Sequence, residues 1–265
     1  MNISAEEMLF YQENGYLLLK NKLEHRPLDD LMSTVAHIIS LEAGVNESDL
    51  PKEEILNKVL IDLKRKNPSS SSWIYQSIQY SWALKKFFID INITSFVSEL
   101  LNVNDPKNLG VVSPAFRFDI PGDNRNIRTW HQDGNYFLEN SRGEDHLVVW
   151  IPMNEAHRDN GTVIIAPGSH KIGKQGANHA KAEGFKSEQY TASEDQYKNY
   201  EHVYIEADKG DIAFINMDLL HSSGTNVTTD EVRYTAQIRF NQIDKEDYRP
   251  VQIKPEYPVY SRYKK

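Results

Sequence analysis

The chain has 265 residues, with 38 acidic against 30 basic side chains and no cysteine. A formal charge of −8 speaks against the basic stripe of a nucleic-acid binder, and without thiols there is neither a disulfide framework nor a thiolate metal site. No apolar run is long enough to span a bilayer, and Met1-Asn2-Ile3-Ser4-Ala5-Glu6-Glu7 lacks the basic and apolar regions of a signal peptide, so a cytoplasmic protein with no membrane or nucleic-acid partner is expected.

Ser4-Ala5-Glu6-Glu7 has the spacing of a capping box, which predicts a short helix. Gly15 to Leu19 reads as a strand. Between about 27 and 101 apolar residues recur at helical spacing. Leu28, Leu31, Val35 and Ile38 form one stripe, and Ile55, Val59 and Leu63 form another after Pro51, a residue suited to a helix start. Both stripes are expected to pack in the core. The aromatic stretch from Trp73-Ile74-Tyr75 to Tyr80-Ser81-Trp82 has similar spacing, and core packing is preferred there over a cover for a pocket mouth. From about Leu109 the pattern changes to short β-rich runs broken by Gly, Pro, Asn and Asp, the mark of a sandwich or barrel. Residues 171–201 are polar, with Lys171, Lys174, Lys181 and Lys186 interleaved with Tyr190, Tyr197 and Tyr200. Such a segment is either a lid or binding loop or a solvated surface excursion. The length suits a single domain over 1–265, helical over about 1–105 and β-rich over about 106–245, with a tail over 246–265.

The chemistry is concentrated in Trp130-His131-Gln132-Asp133-Gly134, Leu220-His221-Ser222-Ser223-Gly224 and Arg233-Tyr234-Thr235. On a strand, His131 and Asp133 share a face while Gln132 points away. His221, after the apolar run Ile212-Ala213-Phe214-Ile215-Asn216, supplies a third donor. Two histidines and one carboxylate hold Fe(II) on one face and leave the opposite positions open. His157-Arg158-Asp159 has the same form, but Asn160-Gly161 follows at once and places it in a turn. The plainer alternative is two hydrogen-bonded core histidines, and Asp133 and Arg233 weigh against it. Arg233 and Thr235 share a strand face, so a guanidinium fork and a hydroxyl converge on one carboxylate. Arg239 keeps that parity but lies about 20 Å along an extended strand, too far for the same carboxylate.

From about residue 8 to about 241 the chain resembles the phytanoyl-CoA dioxygenase family of non-haem Fe(II)/2-oxoglutarate oxygenases. The matching stretches include Tyr11-Gln12-Glu13-Asn14-Gly15-Tyr16, Phe116-Arg117-Phe118-Asp119-Ile120-Pro121-Gly122 and Val149-Trp150-Ile151-Pro152-Met153. Others are Asn160-Gly161-Thr162-Val163, Ala166-Pro167-Gly168-Ser169-His170 and the His131, His221 and Arg233 motifs. The resemblance implies an α+β fold, a double-stranded β-helix (jelly-roll, cupin-like) core with N-terminal helices packed on one sheet. It implies Fe(II) on His131, Asp133 and His221, with 2-oxoglutarate and O2 as co-substrates and with Ser223 and Trp150 near 2-oxoglutarate. Arg117 either faces the co-substrate or substrate or is a surface or sheet-edge arginine, and His170 belongs to a shared turn and is no ligand. Related halogenases carry a small residue in place of Asp133, so the expected reaction is hydroxylation of a small molecule with release of succinate and CO2. The family's substrates are too diverse to select one, and the oligomeric state is left open. The competing readings are a non-catalytic jelly-roll sugar-binding protein and a cupin-type metal-dependent isomerase.

Overall fold

The computed structural model describes residues 3–124, 127–137, 143–180 and 189–245; the expected tail at 246–265, Lys181 and Lys186 lie outside them. Ser4 caps α1 (Ala5–Asn14) reciprocally: its hydroxyl accepts from the Glu7 N–H while the Glu7 carboxylate accepts from the Ser4 N–H. Gly15 ends the helix in the left-handed region at φ 78° and turns the chain into β1 (Tyr16–Leu19). A Cβ at Gly15 would also meet the His170 ring at 2.4 Å, so glycine is required there on two counts. His170 packs on that turn and its Nε2 lies 3.1 Å from the Gln12 carbonyl oxygen, far from any ligand role.

The helical part follows the apolar stripes. α2 (His25–Ala43) buries Leu28, Leu31, Val35 and Ile39, with Ile38 at the half-buried edge. α3 (Lys52–Glu54) runs through a π-helical turn at Ile55–Val59 into α4 (Leu60–Lys66). α5 (Ser70–Tyr80), α6 (Trp82–Asp90) and α7 (Thr94–Leu100) complete it. The aromatic residues of α5 and α6 correct the expected core packing: Trp73, Tyr80 and Trp82 are 68, 82 and 72% exposed. The narrow buried face of α5 is taken by Ile74 and Ile78, four residues apart, while Tyr75 lines the cavity described below.

The remaining strands are β2 (Leu109–Asp119), β3 (His146–Pro152), β4 (Val163–Ile165), β5 (Asn178–Ala180), β6 (Gln189–Thr191), β7 (Val203–Tyr204), β8 (Ile212–Asn216), β9 (His221–Ser223) and β10 (Arg233–Gln242), with single-turn helices α8 (Gly134–Phe137) and α9 (Glu194–Tyr197) between them. An antiparallel sheet ordered β1-β8-β3-β10-β2 is accompanied by a three-stranded sheet ordered β7-β4-β9 and the β5-β6 pair. The larger sheet is buried on both faces, which is why β3 is apolar almost throughout rather than alternating. Its outer face, with Leu147, Val149, Ile151, Ile212, Phe214, Tyr234 and Ala236, joins the core of the helices. Its inner face, with Val148, Trp150, Ala213 and Ile215, packs with Ile165, Ile205 and Ala207 of the opposite layer. Each large apolar side chain so buried contributes about 1.5–3 kcal/mol. The result is a jelly-roll with the helices layered on one sheet, as the resemblance implies. The functional residues project into the open end of the space between the two sheets.

Candidate active site

His131 and His221 are a directly opposed antiparallel pair: the His131 N–H donates to the His221 carbonyl at 2.9 Å and the His221 N–H to the His131 carbonyl at 3.0 Å. Opposed residues project from the same face, and the two rings stand 4.2 Å apart by centroid. The Nδ1 atoms lie 2.7 Å from the Thr129 carbonyl oxygen and 2.9 Å from that of Leu219. Carbonyls only accept, so both Nδ1 atoms carry the proton and both Nε2 lone pairs face the site. Asp133 Oδ1 lies 3.4 Å from His131 Nε2 and 3.9 Å from His221 Nε2. The three ligand atoms lie within 4.8 Å of one another, and all three residues are nearly or fully buried. Among the described residues no other His, Asp or Glu group has metal-binding spacing.

The expected strand through Asp133 is shorter than the alternation suggests. Only His131 makes a β-bridge; the chain then turns, with the Tyr136 N–H donating to the Asp133 carbonyl at 2.9 Å as α8 begins. Asp133 therefore meets the histidines through a turn rather than through strand parity. Gln132 does point away: its Nε2 donates to the Gly173 and Asp218 carbonyls at 2.9 and 2.6 Å, and its Oε1 accepts from the Gln175 N–H at 2.7 Å. The competitor His157 sits in the expected turn, its Nε2 3.1 Å from the Glu231 carboxylate.

One cavity of about 230 Å³ is lined by His131, Asp133, His221, Arg117, Trp150, Ser223, Arg233 and Thr235, so the structure brings every predicted residue to one place. Arg233, Thr235, Gln237 and Arg239 reach it from the inner face of β10, while Tyr234, Ala236, Ile238 and Phe240 face the helices. Arg233 donates through Nη2 to Asp119 Oδ2 at 2.6 Å, and its Nη1 stands 3.5 Å from Thr235 Oγ1. Among the described residues its buried Nε has no hydrogen-bond partner. Such an orphan is costly, and an added carboxylate beside it would satisfy it. Arg117 stands on the edge strand β2, opposite Thr235 of β10, and lines the cavity with its Nη2 3.6 Å from Asp119 Oδ1.

Two arginines of this cavity were given no role by the sequence. Arg239 Nε donates to Asp133 Oδ2 at 2.7 Å, and its guanidinium lies 4.4 Å over the Phe137 ring. A register shift between Gln237 and Arg239, opposite Ser113 at φ 50°, marks a bulge in the β2–β10 pair. Bulges of this kind re-aim side chains near active sites. The i+6 parity from Arg233 held a signal for Arg239, but nothing in its spacing linked it to Asp133. Arg128, the second, reaches the cavity and lies with its guanidinium carbon 5.8 Å over the Tyr136 ring; three residues before His131, it carried no pattern.

The described part of 171–201 is fastened beside the site. Gln132 holds Gly173 and Gln175 at one end. At the other, the Ala192 N–H donates to the Trp130 carbonyl at 2.7 Å, and Tyr197 stacks on Trp130 at 4.7 Å.

Burial raises the Asp133 carboxyl, but Arg239, the His131 hydrogen bond and His221 outweigh it and hold the group well below the usual carboxylate range. Burial, with His131 alongside, lowers His221 from 6.5 to about 4. Between these two values the unfolded chain takes up a proton that the folded one refuses, so stability rises with pH across that window. The metal-free protein is therefore expected to lose thermal stability as pH falls from about 6.5 toward 4, with a further loss below the ordinary carboxylate value from Asp133. Thermal denaturation against pH checks this, and His221→Gln should flatten the upper part of the profile; an unchanged profile would show that His221 does not titrate this way.

The comparisons agree with this geometry. A sequence model of the family described as Phytanoyl-CoA dioxygenase (PhyH) matches residues 11–234. A probable phytanoyl-CoA dioxygenase of Caenorhabditis elegans is 24% identical over 232 residues, covering 85% of this chain and 72% of that protein. The peroxisomal phytanoyl-CoA dioxygenase of Homo sapiens is 24% identical over 239 residues, and the chain spans 65% of its length. Among solved structures, the non-haem alpha-ketoglutarate-dependent carbocyclase SnoK from nogalamycin biosynthesis superposes with a TM-score of 0.59 at 18% identity, over 98% of this chain and 91% of that one. Likeness at that identity establishes the jelly-roll fold alone, and the sequence model establishes the family. The chain belongs to the phytanoyl-CoA dioxygenase family of iron- and 2-oxoglutarate-dependent dioxygenases.

Proposed function

We propose that His131 Nε2, Asp133 Oδ1 and His221 Nε2 hold Fe(II), that Arg233 and Thr235 hold the far carboxylate of 2-oxoglutarate, and that the enzyme hydroxylates a small molecule in this cavity. The observation that carries the reading is the convergence of three correctly presented donor atoms beside a buried arginine whose Nε lacks a partner. When bound, iron and 2-oxoglutarate supply O2 activation coupled to decarboxylation, with succinate and CO2 as co-products.

The chain's own residues orient and shield. Thr129 and Leu219 fix the two imidazoles through their carbonyls, and Arg239 fixes the Asp133 carboxylate through Oδ2. Trp150, Val148, Val163 and Ile215 form an apolar wall that limits water beside the reacting groups. Ser223 and Arg117 complete the proposed co-substrate side. A carboxylate at position 133, rather than a small residue, favours hydroxylation.

Among the described residues no helix is long and apolar enough to cross a membrane; cytoplasmic placement is part of the proposal and is checked by fractionation. The core shared by the helices and the larger sheet supports reading the described residues as one domain.

Anaerobic addition of Fe(II) and 2-oxoglutarate is expected to produce a weak visible charge-transfer band, and admission of air with substrate to release succinate in step with substrate loss. A sugar-binding jelly-roll gives no band, and an isomerase converts substrate without succinate. Either result would replace the proposal.

A further inference from the structure

Four arginines line this one cavity: Arg117, Arg128, Arg233 and Arg239. Two carboxylates are matched to them. Asp133 Oδ2 accepts from Arg239 at 2.7 Å, and Asp119 lies between Arg233 at 2.6 Å and Arg117 at 3.6 Å. Arg128 differs: no carboxylate among the described residues pairs with it, and its guanidinium rests only over the Tyr136 ring. Among the described residues, four positive groups against two negative ones leave an excess of two positive charges. Divalent iron and the 2-oxoglutarate dianion cancel each other and leave that excess in place. Like charges gathered in a confined, partly dry cleft repel one another and concentrate counter-ions.

We infer that the substrate carries an oxyanion group, a carboxylate or a phosphate, and that Arg128 binds it; this rests on the iron and 2-oxoglutarate reading above. The backbone of Arg128 is pinned to β9, its N–H donating to Ser223 Oγ at 3.2 Å and its carbonyl accepting from the Ser223 N–H at 2.9 Å. Its side chain leans on Tyr136, whose ring meets the His131 ring edge-on at 5.6 Å. An anion on Arg128 shares one cavity with the histidine pair, and a fork of N–H donors suits carboxylate and phosphate oxygens alike. The other three arginines are engaged: Arg239 with Asp133, Arg117 with Asp119, and Arg233 with Asp119 and the far carboxylate of the co-substrate.

The test is a binding measurement without turnover. Protein loaded anaerobically with Mn(II) and 2-oxoglutarate is titrated by calorimetry with small carboxylic acids, the primary amides of the same acids, and phosphate monoesters of the matching alcohols. An acid or phosphate ester is expected to bind at least about tenfold more tightly than its neutral partner, the margin of one charge-assisted hydrogen bond. Arg128→Gln should remove that margin, and Arg128→Lys, which keeps the charge, should retain part of it. The arm that binds distinguishes carboxylate from phosphate. Amides binding as tightly as acids, or a margin that survives Arg128→Gln, would overturn the inference. So would an Arg128→Gln protein that loses 2-oxoglutarate and not the probe, because Arg128 would then serve the co-substrate. Wild-type protein that takes up no 2-oxoglutarate would sink the underlying site reading before any probe is added, so the two failures are distinct.

Discussion

Asp133→Ala is expected to lower iron-dependent 2-oxoglutarate turnover by more than about 100-fold, the upper end of what loss of a partner outside the metal shell costs. It removes a proposed ligand and also leaves Arg239 buried without its counter-charge. Breaking a buried pair from one side costs about 3–5 kcal/mol, whereas replacing both partners with apolar groups is often near neutral. The single substitution should therefore lower the melting temperature, and Asp133→Ala with Arg239→Met should recover much of it. Neither protein should recover iron binding. Arg239→Gln alone keeps the ligand and loses its orientation, so about a 10–100-fold drop in iron affinity is expected there. Anaerobic iron titration followed by the charge-transfer band, alongside thermal denaturation, separates these effects. A band and turnover that survive Asp133→Ala would remove Asp133 from the metal site.

Arg233→Ala is expected to raise the 2-oxoglutarate requirement by about ten- to a hundredfold, the scale of one or two charge-assisted hydrogen bonds, while iron affinity stays nearly intact. The Arg233 guanidinium is 2.6 Å from Asp119 and 3.5 Å from Thr235, so the variant also leaves Asp119 with the more distant Arg117, 3.6 Å away. Stability loss is therefore anticipated and must be read separately from the co-substrate effect. Arg233→Lys keeps a positive charge near Asp119 but loses the planar fork; it should recover stability more fully than 2-oxoglutarate affinity. The discriminating measurement is KM for 2-oxoglutarate beside the iron dissociation constant. If both rise equally, Arg233 supports the fold instead of the co-substrate.

The two variants probe different kinds of sequence information. His131, His221 and Arg233 stand out because ligand chemistry restricts the residue types and because β9 and the start of β10 are set off by clear turn punctuation. The helix start at Ser4 and the switch to strands at Leu109 are equally local, set by capping and by periodicity. The aromatic run on α5 and α6 shows the limit of such patterns. Helical spacing names a face without naming its neighbour, and Trp73 and Trp82 face outward while the aliphatic pair Ile74 and Ile78 faces in.

What the sequence determined by itself is the inventory: two histidines, a carboxylate and an arginine of the right types, on segments whose hydrophobic pattern makes them strands or turns. The tertiary structure decided which of these groups meet. Arg239 lies too far along β10 to serve the carboxylate expected at Arg233, and it holds a different one, Asp133, because β10 passes along the cavity and a bulge against β2 lies beside it. Asp119 became the shared partner of two arginines through the antiparallel register that sets it opposite Arg233. Arg128 has meaning only as the cavity arginine left without a carboxylate among the described residues. Charge balance inside a cavity is a sum over residues distant in the chain, so it emerges only when the fold has gathered them.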